Sequence, residues 1–415
     1  MAPRTPLRIG AATAALVLGL TACGDGDNGG GGTADAGDEF TFGIIYPQTG
    51  PLAFLGPPQE AAASYAIEDI NNAGGILGTD VPALNEADEA GDAGQANDAA
   101  NNLVADEVNA VIGAGASAMT QAIYDTITGA GIVQCSGANT APELSDIDDG
   151  GYYFRTAPSD LMAGPVLAQR MVEDGHVSTA IVARADDYGS GYLDAVESEL
   201  EGLGADVVHT DTYDPDATNF DTVVNGVNGS DADAVALISF EEGAQLMAEL
   251  LEAGIDGDQL YLTDGLNDPD LGTTVNENDP DVINGTTGVT PGADAPEFDE
   301  GLRDFDPDLD VLQFAPQKYD CVTTIALAAE SAQSTDPGEY VEHISDVTRP
   351  PGTECTSFEE CRDLLDDGDD IDYQGVSGNI DLDDNGDPTT ATFEVFHFDD
   401  DGYGIDDYVD YAYDD

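Results

Sequence analysis

The sequence predicts an α/β protein of two similar lobes, each a parallel sheet covered by helices. Short runs of β-branched residues alternate with amphipathic segments of helical length, which is the pattern of βαβ units. A weak internal repeat relates residues 110–132 to residues 234–255 at nearly constant offset (234−110 = 124; 253−130 = 123). A chain of 415 residues, 41% of them hydrophobic, is long enough for two hydrophobic cores.

The alternation can be followed element by element. Helix 58–71 is the clearest case in the first half, because Ala62, Tyr65, Ala66 and Ile70 recur at helical spacing on one face. The predicted strands are 42–46, 108–112, 132–135, 179–183, 206–212, 234–238 and 259–262, and the further helices are 119–128, 161–173, 191–203, 220–227 and 242–253.

The N-terminal 22 residues have the three parts of an export signal. Arg4 and Arg8 form a basic head, residues 9–20 are apolar, and small residues precede Cys23. The apolar run is too short to span a bilayer, which needs about 20 apolar residues. The pattern resembles a bacterial lipoprotein signal peptide, in which Cys23 becomes the lipidated N-terminus. Residues 23–38 are predicted to be a flexible tether, so we expect a lipid-anchored protein on the extracytoplasmic face of a cell membrane.

The composition is extremely acidic. Nine Lys and Arg residues face 85 Asp and Glu residues, which gives a formal charge of −76. The acids spread along the whole length with enrichment only at the C-terminus, which favours adaptation to high salt over a local acidic site for calcium or a basic partner. Nucleic acid is excluded as a partner by the sign of the charge.

The five cysteines are consistent with one lipid attachment and two disulfides. After Cys23, four cysteines remain, and an even number outside the cytoplasm indicates disulfide pairing. Cys355 and Cys361 are close enough in sequence to form one bond. The remaining pair is Cys135 with Cys321, a long-range link that the sequence permits without requiring.

Several short motifs resemble the branched-chain amino acid binding proteins of ABC importers. They occur in that family's order and spacing, and the similarity runs from about Phe40 to the C-terminus. The motifs are QTGPLA at 48–53, DINNAGGI at 69–76, VIG at 111–113, SGANTAPEL at 136–144, RT at 155–156 and DYG at 187–189.

This resemblance implies a type I periplasmic-binding-protein fold, in which two Rossmann-like lobes are joined by three hinge crossings and close on a solute. By analogy the crossings lie near Arg155, near residues 285–289 and near residues 375–380. Lobe 1 would then comprise 39–155 with 287–377, and lobe 2 would comprise 156–286 with 378–415. We expect a monomer that delivers its solute to an ABC permease and needs no cofactor.

Ligands of parallel α/β sheets bind beyond the carboxyl ends of strands and at helix N-termini. The resemblance to the family implies a solute at the same place. Matching the family residue by residue assigns the ligand carboxylate to Ser117 and Thr140 and the ammonium to the Ala138 carbonyl. In the second lobe the same match assigns Tyr188 and Asp264 to the ligand-binding site. Asp264 is one methylene shorter than the Glu that the family commonly has as the ammonium partner.

The side-chain pocket is less clearly defined by the sequence. Leu55, or its neighbour Phe54, stands where the family has an aromatic residue, and Phe240 or Glu241 follows the strand at 234–238. Apolar amino acids are therefore the leading substrate class. An amide, a urea-type solute or a polar amino acid stays an alternative, because Glu241 would admit a polar or cationic group.

Catalytic and metal-binding motifs are incomplete. The glycines at 113–115 follow a strand, but no acidic residue ends the next strand, as a dinucleotide site requires. The four histidines share no metal spacing. Residues 381–386 imitate half of an EF-hand, yet Thr392 stands at position twelve, so a hairpin turn between strands 378–382 and 392–398 accounts for Asn385-Gly386 better. We expect no enzyme; a sensory ligand-binding lipoprotein is the alternative to a transport receptor.

Overall fold

The computed structural model describes residues 39–413. The predicted export signal at 1–22 and the predicted tether at 23–38, with Cys23, lie outside the described residues. The strands are β1 (Phe42–Tyr46), β2 (Asn85–Asp88), β3 (Ala110–Ile112), β4 (Val133–Ser136), β5 (Tyr153–Arg155), β6 (Ser178–Arg184), β7 (Asp206–Tyr213), β8 (Ala234–Ile238), β9 (Leu260–Thr263), β10 (Thr287–Pro291), β11 (Thr353–Cys355), β12 (Ile371–Gly375), β13 (Gly378–Asn379), β14 (Thr390–Asp399) and β15 (Gly402–Ala412).

Twelve α-helices of the described part connect and cover these strands. They are α1 (Gly56–Asn72), α2 (Ala93–Ala105), α3 (Ser117–Thr128), α4 (Asp160–Glu173), α5 (Asp187–Leu203), α6 (Asp221–Gly229), α7 (Gly243–Glu252), α8 (Leu271–Val275), α9 (Pro296–Phe305), α10 (Ala315–Ala332), α11 (Pro337–Tyr340) and α12 (Phe358–Asp367).

Two large sheets organise the molecule. The first has five parallel strands in the order β2-β1-β3-β4-β5. The second has seven strands in the order β15-β14-β10-β9-β8-β6-β7, parallel except where β14 meets β10 and β15. Every residue of β1, β3, β4, β8 and β9 is buried, as expected for parallel strands with helices on both faces. We call the two units, each a sheet with its packed helices, lobe 1 and lobe 2.

Small residues let the covering helices approach closely. In lobe 1, α1 buries Ala61, Ala62, Ala63 and Ala66 in the same core as the almost wholly buried α10. In lobe 2, α4 and α5 cross at Gly164, where an added Cβ would stand 2.6 Å from that of Ala195. The internal repeat of the sequence corresponds to β3 with α3 in lobe 1 and to β8 with α7 in lobe 2.

The crossings differ in part from the expected positions. The strand β5 of lobe 1 ends at Arg155, and the helix α4 of lobe 2 begins at Asp160. The strand β10, assigned to lobe 1 from residue 287, instead pairs with β9 and β14, so the second crossing comes after residue 291. The third is also later than expected, because Ile380 and Leu382 belong to the core of lobe 1 whereas Phe393 belongs to that of lobe 2.

The hairpin expected around Asn385-Gly386 is wrong in its strands. Residues 378–379 pair with β12, and β14 pairs with β10 and β15. A tight turn does occupy residues 383–387, where the Asp383 amide donates to the Asp387 carbonyl and a single bridge joins Leu382 to Pro388. The sequence therefore predicts a turn at this place, but tertiary packing determines which strands the flanking segments pair with.

Both expected disulfides are present. Cys135 of β4 joins Cys321 of α10 across lobe 1, with the two Cα atoms 5.8 Å apart. Cys355 and Cys361 join β11 to α12, with a Cα separation of 5.3 Å. No helix within residues 39–413 is both long enough and apolar enough to cross a membrane.

The acidic residues lie overwhelmingly at the surface. Few acidic side chains of the described chain are buried, so the high negative charge is borne by solvated carboxylates that repel one another. We expect the midpoint of thermal unfolding to rise steeply between 0.1 M and 1 M salt, because the Debye length falls from about 10 Å to about 3 Å. Differential scanning calorimetry at several NaCl concentrations checks this, and a midpoint independent of salt contradicts it.

Candidate ligand-binding site

One cavity lies between the lobes at the carboxyl ends of the central strands. It is lined by residues of both lobes. All seven residues predicted to contact a ligand line it: Leu55, Ser117, Ala138, Thr140, Tyr188, Phe240 and Asp264. The remaining lining residues are Leu52, Gln59, Gly115, Ala116 and Phe314, so no Lys or Arg of the described chain lines the cavity.

The lobe 1 side of the cavity is built from hydroxyls and a helix N-terminus. Ser117 is the first residue of α3, two residues earlier than the helix start predicted from the sequence. Its Oγ accepts hydrogen bonds from the backbone amides of Thr140 and Ala141, both at 3.3 Å. The hydroxyl proton of Ser117 therefore stays available to donate, and the amide dipoles at the start of α3 favour a negative charge at this point.

The loop before Ser117 is held by a buried carboxylate. Glu89 is fully buried, and its two oxygens accept from the backbone amides of Gly115 at 2.7 Å and Ala116 at 3.0 Å. Burial raises the pKa of Glu89 to about 7, although both amide hydrogen bonds and the charge of Lys318 lower it. Lys318, the only lysine of the chain, is itself fully buried.

The raised pKa of Glu89 has a consequence for stability. A carboxyl group whose folded pKa lies above its unfolded value stabilises the fold fully below the unfolded pKa and loses this contribution as pH rises through the folded pKa. Asp320, whose pKa burial raises to about 6, acts in the same direction. We expect the free energy of unfolding to fall between pH 5 and pH 8, by about 1.4 kcal/mol for each unit of pKa shift.

Urea unfolding at pH 5 and at pH 8 measures this dependence. Glu89→Gln is the matched variant, because the amide keeps the shape of the side chain and does not titrate. Its stability should fall less over the same interval, whereas Glu339→Gln, at an exposed site in α11, should behave as the parent protein does. Equal pH dependence of parent and Glu89→Gln would contradict the assignment to Glu89.

The lobe 2 side carries an acid and two aromatic rings. The Tyr188 hydroxyl donates to Asp264 Oδ1 at 2.8 Å and lies 2.6 Å from Thr263 Oγ1. The ring of Tyr188 stacks on that of Phe240 with centroids 5.0 Å apart. Burial raises the pKa of Asp264 to about 6, and the Tyr188 hydrogen bond opposes that rise. Asp264 is thus a buried acid without a basic partner among the lining residues.

A second buried acid, Asp160, was missed in the sequence. It is the first residue of α4, it is fully buried, and its backbone amide donates to the Thr140 carbonyl at 2.7 Å. Burial and then the charge of Asp264 raise the pKa of Asp160 well above its ordinary value. The Thr140 side chain and the charge of Arg155 oppose this rise. Asp160 thus lies beside Thr140 and outside the cavity lining, in which Asp264 is the one acidic residue of the described chain.

Further lining residues also escaped the sequence analysis. Phe314 has a positive φ of 61° just before α10, and no sequence motif marks it. Gln59 is fully buried on α1, and neither its amide oxygen nor its nitrogen has a partner in the described part. Glu241, expected as a route to polar specificity, is exposed and does not line the cavity. Phe240 lines it instead, and the Arg184 guanidinium lies 3.6 Å from the centroid of the Phe240 ring.

A cavity lined from two lobes by hydroxyls, aromatic rings and a buried acid is typical of a small-molecule binding site. Within residues 39–413, no group of three or more His, Cys, Asp or Glu side chains is arranged to hold a metal ion. The chain belongs to the receptor family ligand binding region, whose family model matches residues 58–401.

Individual solute-binding proteins are similar to this chain in sequence. Leu/Ile/Val-binding protein homolog 3 of Brucella melitensis is 29% identical; the match covers 52% of this chain and 59% of that protein, less than two thirds of its length. The leucine-, isoleucine-, valine-, threonine- and alanine-binding protein of Pseudomonas aeruginosa is 29% identical over 79% of this chain and 88% of its own. The chemotactic signal transduction substrate-binding protein BasB of Halobacterium salinarum is 26% identical over 84% of each chain.

The fold is shared with solved binding proteins. The crystal structure of the substrate-binding protein LivJ of Streptococcus pneumoniae, in complex with isoleucine, superposes with a TM-score of 0.73. The superposition covers 90% of this chain and all of that one at 20% sequence identity. The type I periplasmic-binding-protein fold expected from the sequence is confirmed.

Proposed function

We propose that this protein is an extracytoplasmic receptor that holds a free α-amino acid, with an apolar branched side chain, between its lobes and delivers it to an ABC permease. The observation that carries the proposal is the separation of chemistry across the cavity. Hydroxyls and the N-terminus of α3 lie on one side, and the buried acid Asp264 lies on the other. An α-amino acid carries a carboxylate and an ammonium on one carbon, and it matches both sides.

The carboxylate is met without a basic side chain. Ser117 and Thr140 offer hydroxyl donors, and α3 adds the positive end of its dipole. The ammonium lies against Asp264, the Tyr188 hydroxyl and the Ala138 carbonyl, and Asp160 lies beside Thr140. Because an ammonium neutralises one of the two acids, binding removes the repulsion between them and lowers their pKa values.

The side chain of the solute faces Leu55, Phe240 and Phe314. These apolar groups favour leucine, isoleucine and valine, and the names of the relatives support the same class. Gln59 favours a second candidate class, because an amide without a partner in the described part would pair with a polar side chain such as that of glutamine.

Isothermal titration calorimetry against the twenty amino acids tests this assignment. We expect one or a few apolar amino acids to bind and their methyl esters, which lack the carboxylate charge, to bind much more weakly. A preference for glutamine over isoleucine would select the polar class. If no amino acid binds, the proposed function is wrong.

A sensory role is a specific second candidate because BasB, which is similar over most of the chain, belongs to a chemotactic system. The two roles share the ligand and differ in the partner. Deleting the gene should abolish uptake of labelled leucine if the protein serves transport. Normal uptake with lost chemotaxis toward leucine would assign it to sensing.

We also propose that Cys23 carries a lipid that holds the protein on the outer face of the cell membrane. Cys23→Ser should move the protein from the membrane fraction to the medium or leave it as an uncleaved precursor. Fractionation and mass spectrometry of the N-terminal peptide measure this. An unmodified Cys23 in the wild-type protein would refute the anchor.

A further inference from the structure

Arg155, at the end of β5, makes every hydrogen bond that its side chain can make. It is fully buried. Its Nε and Nη2 donate to the two carboxylate oxygens of Asp387 at 2.6 Å and 2.9 Å. Nη2 also donates to Ser145 Oγ at 2.9 Å. Nη1 donates to the carbonyls of Asn139 at 3.2 Å and Ala141 at 2.9 Å. All five N–H groups of the guanidinium are therefore used.

These partners belong to two functionally different segments. Asn139 and Ala141 flank Thr140, so Nη1 binds the turn on both sides of the residue that it presents to the cavity. Asp387 lies in the third crossing between the lobes, and the Arg155 backbone amide also donates to the carbonyl of its neighbour Gly386 at 2.9 Å. Arg155 itself stands at the first crossing. One side chain thus connects the ligand-contacting turn to two of the three crossings.

Stability alone is a weak explanation of this arrangement. Removing two charges from water is costly, and a buried ion pair often contributes little compared with apolar residues of the same volume. What a planar guanidinium adds is fixed geometry: two donors on one carboxylate and two on a pair of carbonyls, in one plane. A lysine would supply three donors from a single point and could not hold both segments at once.

We infer that Arg155 is a positioning residue for the binding site, which through Asp387 ties the turn Asn139–Ala141 to the third crossing, so that ligand affinity depends on the hinge segment. The inference rests on the proposed function, since it concerns the carboxylate contact of Thr140. It predicts that a change at the hinge alters the contribution of Thr140 to ligand affinity and leaves the contribution of Asp264, on the opposite lobe, unchanged.

A double-mutant cycle measured by calorimetry tests this dependence. Asp387→Asn keeps the size of the side chain and removes its charge. Arg155→Lys keeps the charge and removes the planar guanidinium. Each should weaken binding of the best amino acid by roughly threefold to thirtyfold. In a Thr140→Val background the same changes should have little further effect, whereas in an Asp264→Asn background their effects should multiply. A purely structural role would give the same factor in both backgrounds.

The exposed ion pair Arg170–Asp174, with Nε and Oδ2 2.9 Å apart, provides the matched control. Arg170→Lys and Asp174→Asn should leave affinity unchanged. If Arg155→Lys does not fold, Ser145→Ala removes one partner of the same guanidinium and replaces it in the cycle. The inference is wrong if the wild-type protein binds an amino acid and none of the Arg155, Asp387 and Ser145 variants changes the affinity.

Absence of any amino acid binding would instead refute the proposed function, and the inference is then decided by hydrogen exchange. The backbone amides of Thr140 and Ala141, which donate to Ser117 Oγ, should exchange faster in Asp387→Asn than in Asp174→Asn. Equal exchange in the two variants would overturn it.

Discussion

Replacing Asp264 with asparagine should weaken amino acid binding by about tenfold to more than a hundredfold while leaving the protein folded. A charge-assisted hydrogen bond contributes about 1.5–3 kcal/mol, and an ammonium left buried beside a neutral amide costs more than the bond itself. Asparagine retains an oxygen that accepts from Tyr188, so the packing of Tyr188 against Phe240 should persist. Titration calorimetry gives the affinity, and circular dichroism confirms the fold.

The pH dependence of affinity distinguishes a charge effect from a packing effect. Burial raises the pKa of Asp264 to about 6, so lowering the pH through 6 protonates the partner of the ammonium and weakens binding to the wild type. Asp264→Asn should show a flatter profile. Glu241→Gln, at an exposed acid beside the cavity that does not line it, is the control and should bind as the wild type does. Wild-type affinity in Asp264→Asn would show that the ammonium lies elsewhere.

Removing the Cys135–Cys321 disulfide should cost several kcal/mol of unfolding free energy, far more than removing Cys355–Cys361. The first bond links residues 186 positions apart and the second links residues 6 apart. In the chain-entropy account the loops are worth about 5 and about 2 kcal/mol respectively. The long link also joins β4, which leads to the Thr140 turn, to α10, which follows Phe314.

Urea unfolding of the two paired alanine variants, Cys135→Ala with Cys321→Ala and Cys355→Ala with Cys361→Ala, measures the difference. Adding a reductant to the wild type should reproduce the larger loss. Peptide mapping without reduction supplies the direct check, because four free thiols in the native protein would contradict both bonds.

The sequence was sufficient for the fold class and for the main cavity residues, for a definable physical reason. Parallel strands and amphipathic helices have distinct periods, and the loops after such strands meet at one edge of a sheet. Ser117, Thr140, Tyr188 and Asp264 were placed by that rule together with the family resemblance. The polar strand β2 and the alanine-rich helix α2 were missed because neither has a strong apolar period.

The residues that were missed at the site depend on contacts between distant segments. Asp160 is one acid among 85 in sequence and becomes distinctive only because α4 buries it near Asp264. Phe314 enters the cavity through a backbone conformation that no local motif specifies. The later positions of the second and third crossings have the same origin, since β10 and β14 join lobe 2 by pairing across a hundred residues of chain.

The burial of Lys318 determines how this protein can be handled. It is the only lysine, it is fully buried, and its Nζ has no hydrogen-bond partner in the described chain. Amine-reactive dyes and sensor-chip coupling through lysine therefore find no target on the surface of the folded body. For the same reason, acylation of Lys318 detected by mass spectrometry would act as a clock for rare openings of the lobe 1 core.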